Sequence, residues 1–149
     1  MIIRVQSEDF DLSAVNRELM GSRSDVGAIA SFIGLVRDLA GDPLETMTLE
    51  HYPGMTESAL EKIAEKAQQR WQVMDLAIIH RVGPLRPADQ IVLVSVLSAH
   101  RGDAFAACEF IMDYLKTDAP FWKKESSEKG DSWVQSRDSD RKAREKWER

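Results

Sequence analysis

The residues best placed to do chemistry in this 149-residue chain are basic side chains that follow apolar runs. Arg37 ends "SFIGLVR", and His100 with Arg101 ends "VLVSVLSAHR". Lys116, Lys123 and Lys124 lie around Pro120 in "IMDYLKTDAPFWKKE", beside Tyr114, Phe121 and Trp122. Segments at the ends of rigid elements carry a disproportionate share of functional groups. Arginine offers planar, bidentate donors to phosphate or carboxylate, and lysine is a compact charge that can also pass a proton. Together they would suit an anionic ligand.

Each group also has a purely structural use. Lys116 at a helix C-terminus complements the helix dipole. Lys123-Lys124-Glu125 is a short charged run of the kind that forms solvated faces. Arg37 beside Asp38 can be a surface ion pair of little worth, and His100 a satisfied structural histidine. Cys108 falls inside an apolar helical face, where a thiol is buried and inert. Phe121 and Trp122 are the size and shape of core or interface anchors.

Composition narrows the classes. With 25 acidic and 20 basic residues, a formal charge of -5 argues against a general nucleic-acid binder. It leaves room for a local basic pocket, because net charge averages over the surface. One cysteine permits no disulfide framework, and His51, His80 and His100 match no zinc spacing, so no metal or cofactor is expected. The opening "MIIRVQSEDFD" lacks the zones of a signal peptide. The longest apolar run, "IVLVSVL", is far short of the ~20 residues that cross a bilayer, so a cytoplasmic location without membrane contact is expected. No GxGxxG, GxxxxGK[ST] or GxSxG motif occurs.

The elements that must position these groups follow from periodicity. "IIRVQ" predicts a strand, and "DLSAVNRELM" a short helix stopped by Gly21. "VGAIASFIGLVRD" predicts a strand with Gly27 and Gly34 as bulge positions, "LAGDP" a loop, and "ETMTLEHY" a half-buried strand. Leu60, Ile63, Ala64, Ala67 and Trp71 share one helical face, with Thr56 as the N-cap. "MDLAIIHRVG" predicts a strand broken at Gly83-Pro84, and "DQIVLVSVLSA" a strand covered on both faces. A helix then carries Phe105, Cys108, Met112 and Leu115 as its apolar stripe and ends before Pro120. "DSWVQSR" predicts a short strand, and a charged tail from about residue 138 is helical or frayed. The class is α+β, a mixed sheet with two main helices, in one domain over 1–149.

This layout sets a distance. Arg101 and Lys116 stand at opposite ends of one helix, roughly 22 Å apart at about 1.5 Å per residue. No small anion touches both ends. If both serve one pocket, either the ligand is long or a second protomer supplies one end, as symmetric dimers readily do.

The segments "TLEHYPGMTESAL", "IIHRVGPLRPAD", "SAHRGDAF" and "FIMDYLKTDAPFWKKE", in this order and spacing, resemble the large, catalytic subunit of molybdopterin synthase, the MoaE family. The similarity runs from about Asp25 to about Arg137. The resemblance implies an α+β fold with a hammerhead-like substructure and a homodimer within a heterotetramer. It implies a small ubiquitin-like sulfur-carrier partner whose C-terminal Gly-Gly is carried as a thiocarboxylate. The implied reaction moves two sulfurs into cyclic pyranopterin monophosphate, forming the dithiolene of molybdopterin.

By the same resemblance, Lys116 and Lys123 are the catalytic candidates. Arg37, His100, Arg101 and Arg137 line the substrate pocket, with His100, Arg101 and Arg137 supplied by the neighbouring protomer. Lys124 and Glu125 are counted with the substrate-binding set, and the sequence leaves open which of Lys123 and Lys124 faces the pocket. Cys108 then needs no reactivity, since the partner delivers the sulfur. This chain ends in Glu-Arg without Gly-Gly, so the carrier is expected to be a separate polypeptide. The rival reading is a non-catalytic anion-binding or adaptor module for a ubiquitin-like partner. A phosphate-ester hydrolase is disfavoured because neither a metal-ligand set nor a nucleophile is visible.

Overall fold

A computed structural model describes residues 1–38, 44–127, 130–134 and 138–148. The predicted loop at 39–43 and the residue Arg137 lie outside the described residues. Among the described residues, eight strands form two four-stranded sheets. The first contains β1 (Ile2–Gln6), β4 (Asp75–Arg81), β6 (Gln90–Ser98) and β2 (Ala28–Leu35), in that spatial order. β1 and β4 run parallel, whereas β6 is antiparallel to both β4 and β2, so the sheet is mixed. The second is antiparallel and contains β5 (Gly83–Leu85), β3 (Leu44–His51), β7 (Phe121–Ser127) and β8 (Gly130–Val134). The α+β class stands.

Strand alternation builds a two-sided core in the first sheet. Leu76 and Ile78 of β4, with Val92, Val94 and Val96 of β6, enter the larger apolar cluster. The intervening Ala77, Ile79, Leu93 and Leu97 enter a second cluster with Val15 and Leu19 of α1 (Leu12–Met20). β6 is thus covered on both faces, as its unbroken apolar run predicts. Each such fully buried aliphatic side chain contributes about 1.5–3 kcal/mol relative to exposure.

The larger cluster is roofed by α2 (Met55–Arg70) and α3 (Arg101–Asp118), the two long helices. Leu60, Ile63, Ala64 and Ala67 form the predicted buried stripe of α2. On α3 the buried face instead runs through Ala104, Ala107, Cys108, Ile111 and Leu115. Phe105, expected on that stripe, stands off it and is 65% exposed.

Thr56 also departs from expectation. The α2 N-cap is Gly54, whose N–H donates to Glu57 Oε1 at 3.3 Å. Thr56 lies one residue inside the helix and is fully buried. Its hydroxyl accepts from the Tyr52 N–H at 3.1 Å and donates to the Pro120 carbonyl at 3.0 Å. It therefore ties the start of α2 to the turn between α3 and β7.

The chain crosses between the sheets just after β4. Val82 leads into β5, and Gly83 there has φ 89°, a conformation that strains any residue with a Cβ. The predicted break at Gly83-Pro84 is this crossing, and the chain resumes as strand in the second sheet. The β2–β6 pairing slips between Gly34, which faces Val92, and Leu35, which faces Gln90, so the extra residue is Ile91 of β6 and the bulge expected at Gly34 falls on the partner strand. Gly27 has another role: a Cβ there would lie 2.0 Å from the Ala99 carbonyl oxygen.

The charged tail forms α4 (Asp138–Glu145) and a 3-10 turn over Lys146–Glu148. It is docked on α3. The Trp147 indole donates to Asp113 Oδ2 at 2.6 Å, and its ring packs edge-on against Trp71 and Phe110. Arg144 pairs with Asp118 at 3.2 Å.

Candidate functional site

The topology brings one end of α3 to the crossing between the sheets. α3 follows β6 after a tight turn and packs back along it, so it runs in the same sense as β4. Its C-terminal Lys116 therefore comes to the end of β4 where His80 sits. By alternation His80 shares the face of Leu76 and Ile78, the face that α3 covers.

The second sheet brings Lys123 to the same place. Phe121 opens β7 and stacks on the His80 ring, with centroids 3.8 Å apart and planes 19° from parallel. Lys123 is two residues on, so it lies on the Phe121 face of the strand. Its cross-strand partner is Leu49, which is buried with Met47, Val36 and Leu85. Trp122 and Lys124 belong to the opposite face, where Trp122 meets Tyr52 edge-on at 4.1 Å. Between the two adjacent lysines, it is Lys123 that stands on the inner face.

His80 is the group that sequence reasoning missed. It is only 5% exposed, and Nδ1 lies 2.8 Å from the Arg81 carbonyl oxygen. A carbonyl only accepts, so Nδ1 carries the proton and, in the neutral ring, Nε2 is left as an acceptor. Burial chiefly pulls its pKa from 6.5 to about 4, against the raising effect of the Arg81 carbonyl. The positive fields of Lys116 and Lys123, and then of His51, are the smaller contributions to that same lowering. The imidazole thus lies within the electrostatic reach of both lysines and His51. His51 is itself the cross-strand partner of Phe121. The available signal was a titratable residue inside the otherwise apolar strand "DLAIIHR".

The remaining predicted residues distribute as follows. Glu125 shares the Lys123 face by alternation and pairs across from Met47. Arg37 is exposed just beyond Val36, whose backbone is clamped to the loop between β5 and β6 through Asp89 and Ala88 at 2.9 and 2.8 Å. Val36 packs in one cluster with Leu49, which brings the start of the Arg37 segment to the inner face of the second sheet. His100 and Arg101 are exposed at the α3 N-terminus, with His100 in the N-cap position. They lie at the other end of the first sheet, where Asp75 pairs with Leu97 while His80 pairs with Val92. The 16 residues from His100 to Lys116 correspond to roughly 24 Å of helix. One protomer therefore separates the His-Arg pair from the lysines.

Cys108 is 7% exposed and donates to the Val94 carbonyl at 3.8 Å. Burial pushes its thiol up to about 11, so it is protonated and unreactive. Among the described residues, no cluster of three or more His, Cys, Asp or Glu side chains could hold a metal. No helix among them is long and apolar enough to cross a membrane.

Comparison with known proteins decides the lineage. The sequence profile described as "MoaE protein" matches residues 5–118, three quarters of the chain. The chain belongs to the MoaE family. It is 59% identical over 146 residues to the molybdopterin synthase catalytic subunit of Ralstonia nicotianae, an alignment covering 97% of this chain and 83% of that one. The solved molybdopterin biosynthesis MoaE protein from Burkholderia ambifaria is 55% identical with TM-score 0.86, over 99% of this chain and 98% of that one. Molybdopterin synthase from Staphylococcus aureus is 32% identical with TM-score 0.83, over 88% and 95%. The MoaE profile ends at Asp118 and so includes Lys116, while Lys123 falls within the longer alignments to the relatives.

Proposed function

We propose that this chain is the catalytic subunit of a molybdopterin synthase, a sulfurtransferase of molybdenum cofactor biosynthesis. It takes sulfur from the thiocarboxylated C-terminal Gly-Gly of a small ubiquitin-like carrier and transfers it to cyclic pyranopterin monophosphate, forming the dithiolene of molybdopterin. One observation carries the reading: in a chain of the MoaE family, the strand that bears Lys123 is stacked through Phe121 on the buried His80 ring, at the end of the first sheet toward which α3 carries Lys116.

The chemistry is served by that arrangement. The pterin carries a cyclic phosphate and the carrier a thiocarboxylate, so both ligands are anionic. Sulfur attack on the pterin side chain builds further negative charge, which preorganised ammonium groups stabilise. Lys116 and Lys123 are the catalytic groups in this account. Arg37, His100, Arg101, Arg137, Lys124 and Glu125 form the substrate-binding set, with arginine suited to bidentate contact with phosphate. The helix length favours a homodimer in which His100 and Arg101 of one protomer complete the lysine pocket of the other. With one carrier on each large subunit, the assembly is a heterotetramer. The inert Cys108 accords with sulfur arriving from the carrier.

Mixing the purified chain with a thiocarboxylated carrier and the cyclic pterin tests the reading. Dithiolene product is expected. Binding of both ligands with no product would instead establish a non-catalytic adaptor.

A further inference from the structure

Nothing in the reaction as written uses His80. Yet it is the most deeply buried histidine, and it occupies the point where β4, α3 and β7 meet. Its ring is fixed on two sides, by the Arg81 carbonyl at Nδ1 and by the face of Phe121. A ring fixed in this way transmits its position to whatever stacks on it. Phe121 is two residues from Lys123 on the same face of β7.

We propose that His80 is a positioning residue for the lysine pair, its pinned imidazole fixing Phe121 and thereby Lys123 beside Lys116 while offering Nε2 as an acceptor to their ammonium groups. The charged or titratable groups that face it are Lys116 from α3, Lys123 from β7 and His51 from β3. Its strand neighbours in the sheet, Val5 and Val92, carry no charge. A neutral ring at this point keeps a hydrogen-bond acceptor within the field of both lysines without adding a third positive charge. The catalytic meaning of this role rests on the synthase reading above, but the coupling of His80 to the lysines does not.

The decisive measurement is the titration of the His80 ring by NMR in the full chain, alone and as Lys116→Ala and Lys123→Ala. The wild-type ring should show the Nδ1–H tautomer and titrate well below an ordinary histidine. Each lysine substitution should raise its midpoint by about half a unit, because a nearby positive charge has been removed. A midpoint unmoved by both substitutions would overturn the proposal, as would an Nε2–H tautomer.

His80→Phe supplies the functional arm, since it can keep the stack on Phe121 and loses the nitrogens. In the reconstituted reaction its kcat should fall at least about tenfold, with KM for the carrier little changed, because misplacement of a reacting group acts on the chemical step. His80→Gln, which restores an amide donor and acceptor, should recover part of that loss. Wild-type kcat in His80→Phe would contradict the proposal. If no product forms with any protein while the NMR coupling is present, the synthase reading fails and the positioning of the lysines stands.

Discussion

The His80 imidazole lies flat on the Phe121 ring, 3.8 Å between centroids, and so joins the end of β4 in one sheet to the first residue of β7 in the other. Strand alternation then puts Lys123 on the same inner face and Lys124 on the outer one. Lys123→Ala should therefore lose about a hundredfold or more in kcat, while Lys124→Ala loses less than about tenfold. Steady-state rates of the two variants at saturating carrier check this. Equal losses, or a greater loss in Lys124→Ala, would reverse the assignment.

Thr56 holds the turn that delivers β7. Thr56→Val keeps the volume but removes the hydroxyl that donates to the Pro120 carbonyl and accepts from the Tyr52 N–H. Thermal or denaturant unfolding should show a loss of about 1–3 kcal/mol, the usual cost of leaving buried polar groups unpaired. Activity should fall as well, because Pro120 immediately precedes the Phe121–Lys123 run. Unchanged stability would mean that the Thr56 bonds contribute nothing net.

The buried histidine makes stability depend on pH with a definite sign. His80 has its pKa lowered in the fold to about 4 from the ordinary 6.5. Between those values the unfolded chain binds the extra proton and the folded chain does not, so the contribution is complete above pH 6.5 and lost as pH falls toward 4. Between pH 7 and pH 5 the loss should be about 2 kcal/mol at roughly 1.4 kcal/mol per unit. His80→Phe should lack that component, giving a flatter profile of unfolding free energy over this range. A wild-type profile no steeper than that of His80→Phe would contradict the burial of a neutral ring.

Much of this framework was legible in the sequence, for identifiable reasons. The 3.6-residue stripe from Leu60 to Ala67 and the two-faced apolar run "IVLVSVL" appear where expected, because burial alone dictates those patterns. β7 was not legible as a strand. Its inner face carries Lys123 and Glu125 where a structural strand would carry apolar residues, so the site itself erases the alternation. Thr56 had the right chemistry for a cap, but its hydroxyl accepts from Tyr52 just before the helix and donates to Pro120, 64 residues away. His80 was hidden for a similar reason, since its partners Phe121, Lys116 and Lys123 come from distant segments. Cys108 was legible as inert, because the apolar residues around it predict its burial.

The length of α3 gives a prediction for the assembly. His100→Ala and Lys116→Ala should each be nearly inactive alone. Coexpressed at random, half of the dimers are mixed and one of their two pockets is intact, so about a quarter of wild-type activity should return. Product formation by the mixture, compared with each variant alone, reads this directly. No recovery would mean that both residues serve a pocket within one protomer.

In the proposed synthase Lys116, at the end of α3, acts on the sulfur-transfer step and not on folding. The measurement that meets this role most directly is a single-turnover reaction of Lys116→Ala with thiocarboxylated carrier and cyclic pterin, run beside wild type and paired with thermal unfolding. Dithiolene formation should be slowed by about a hundredfold or more, with carrier affinity and Tm close to wild type, since Lys116 is exposed at its helix end. Wild-type single-turnover rates, or a rate loss matched by an equal collapse of Tm, would contradict that role.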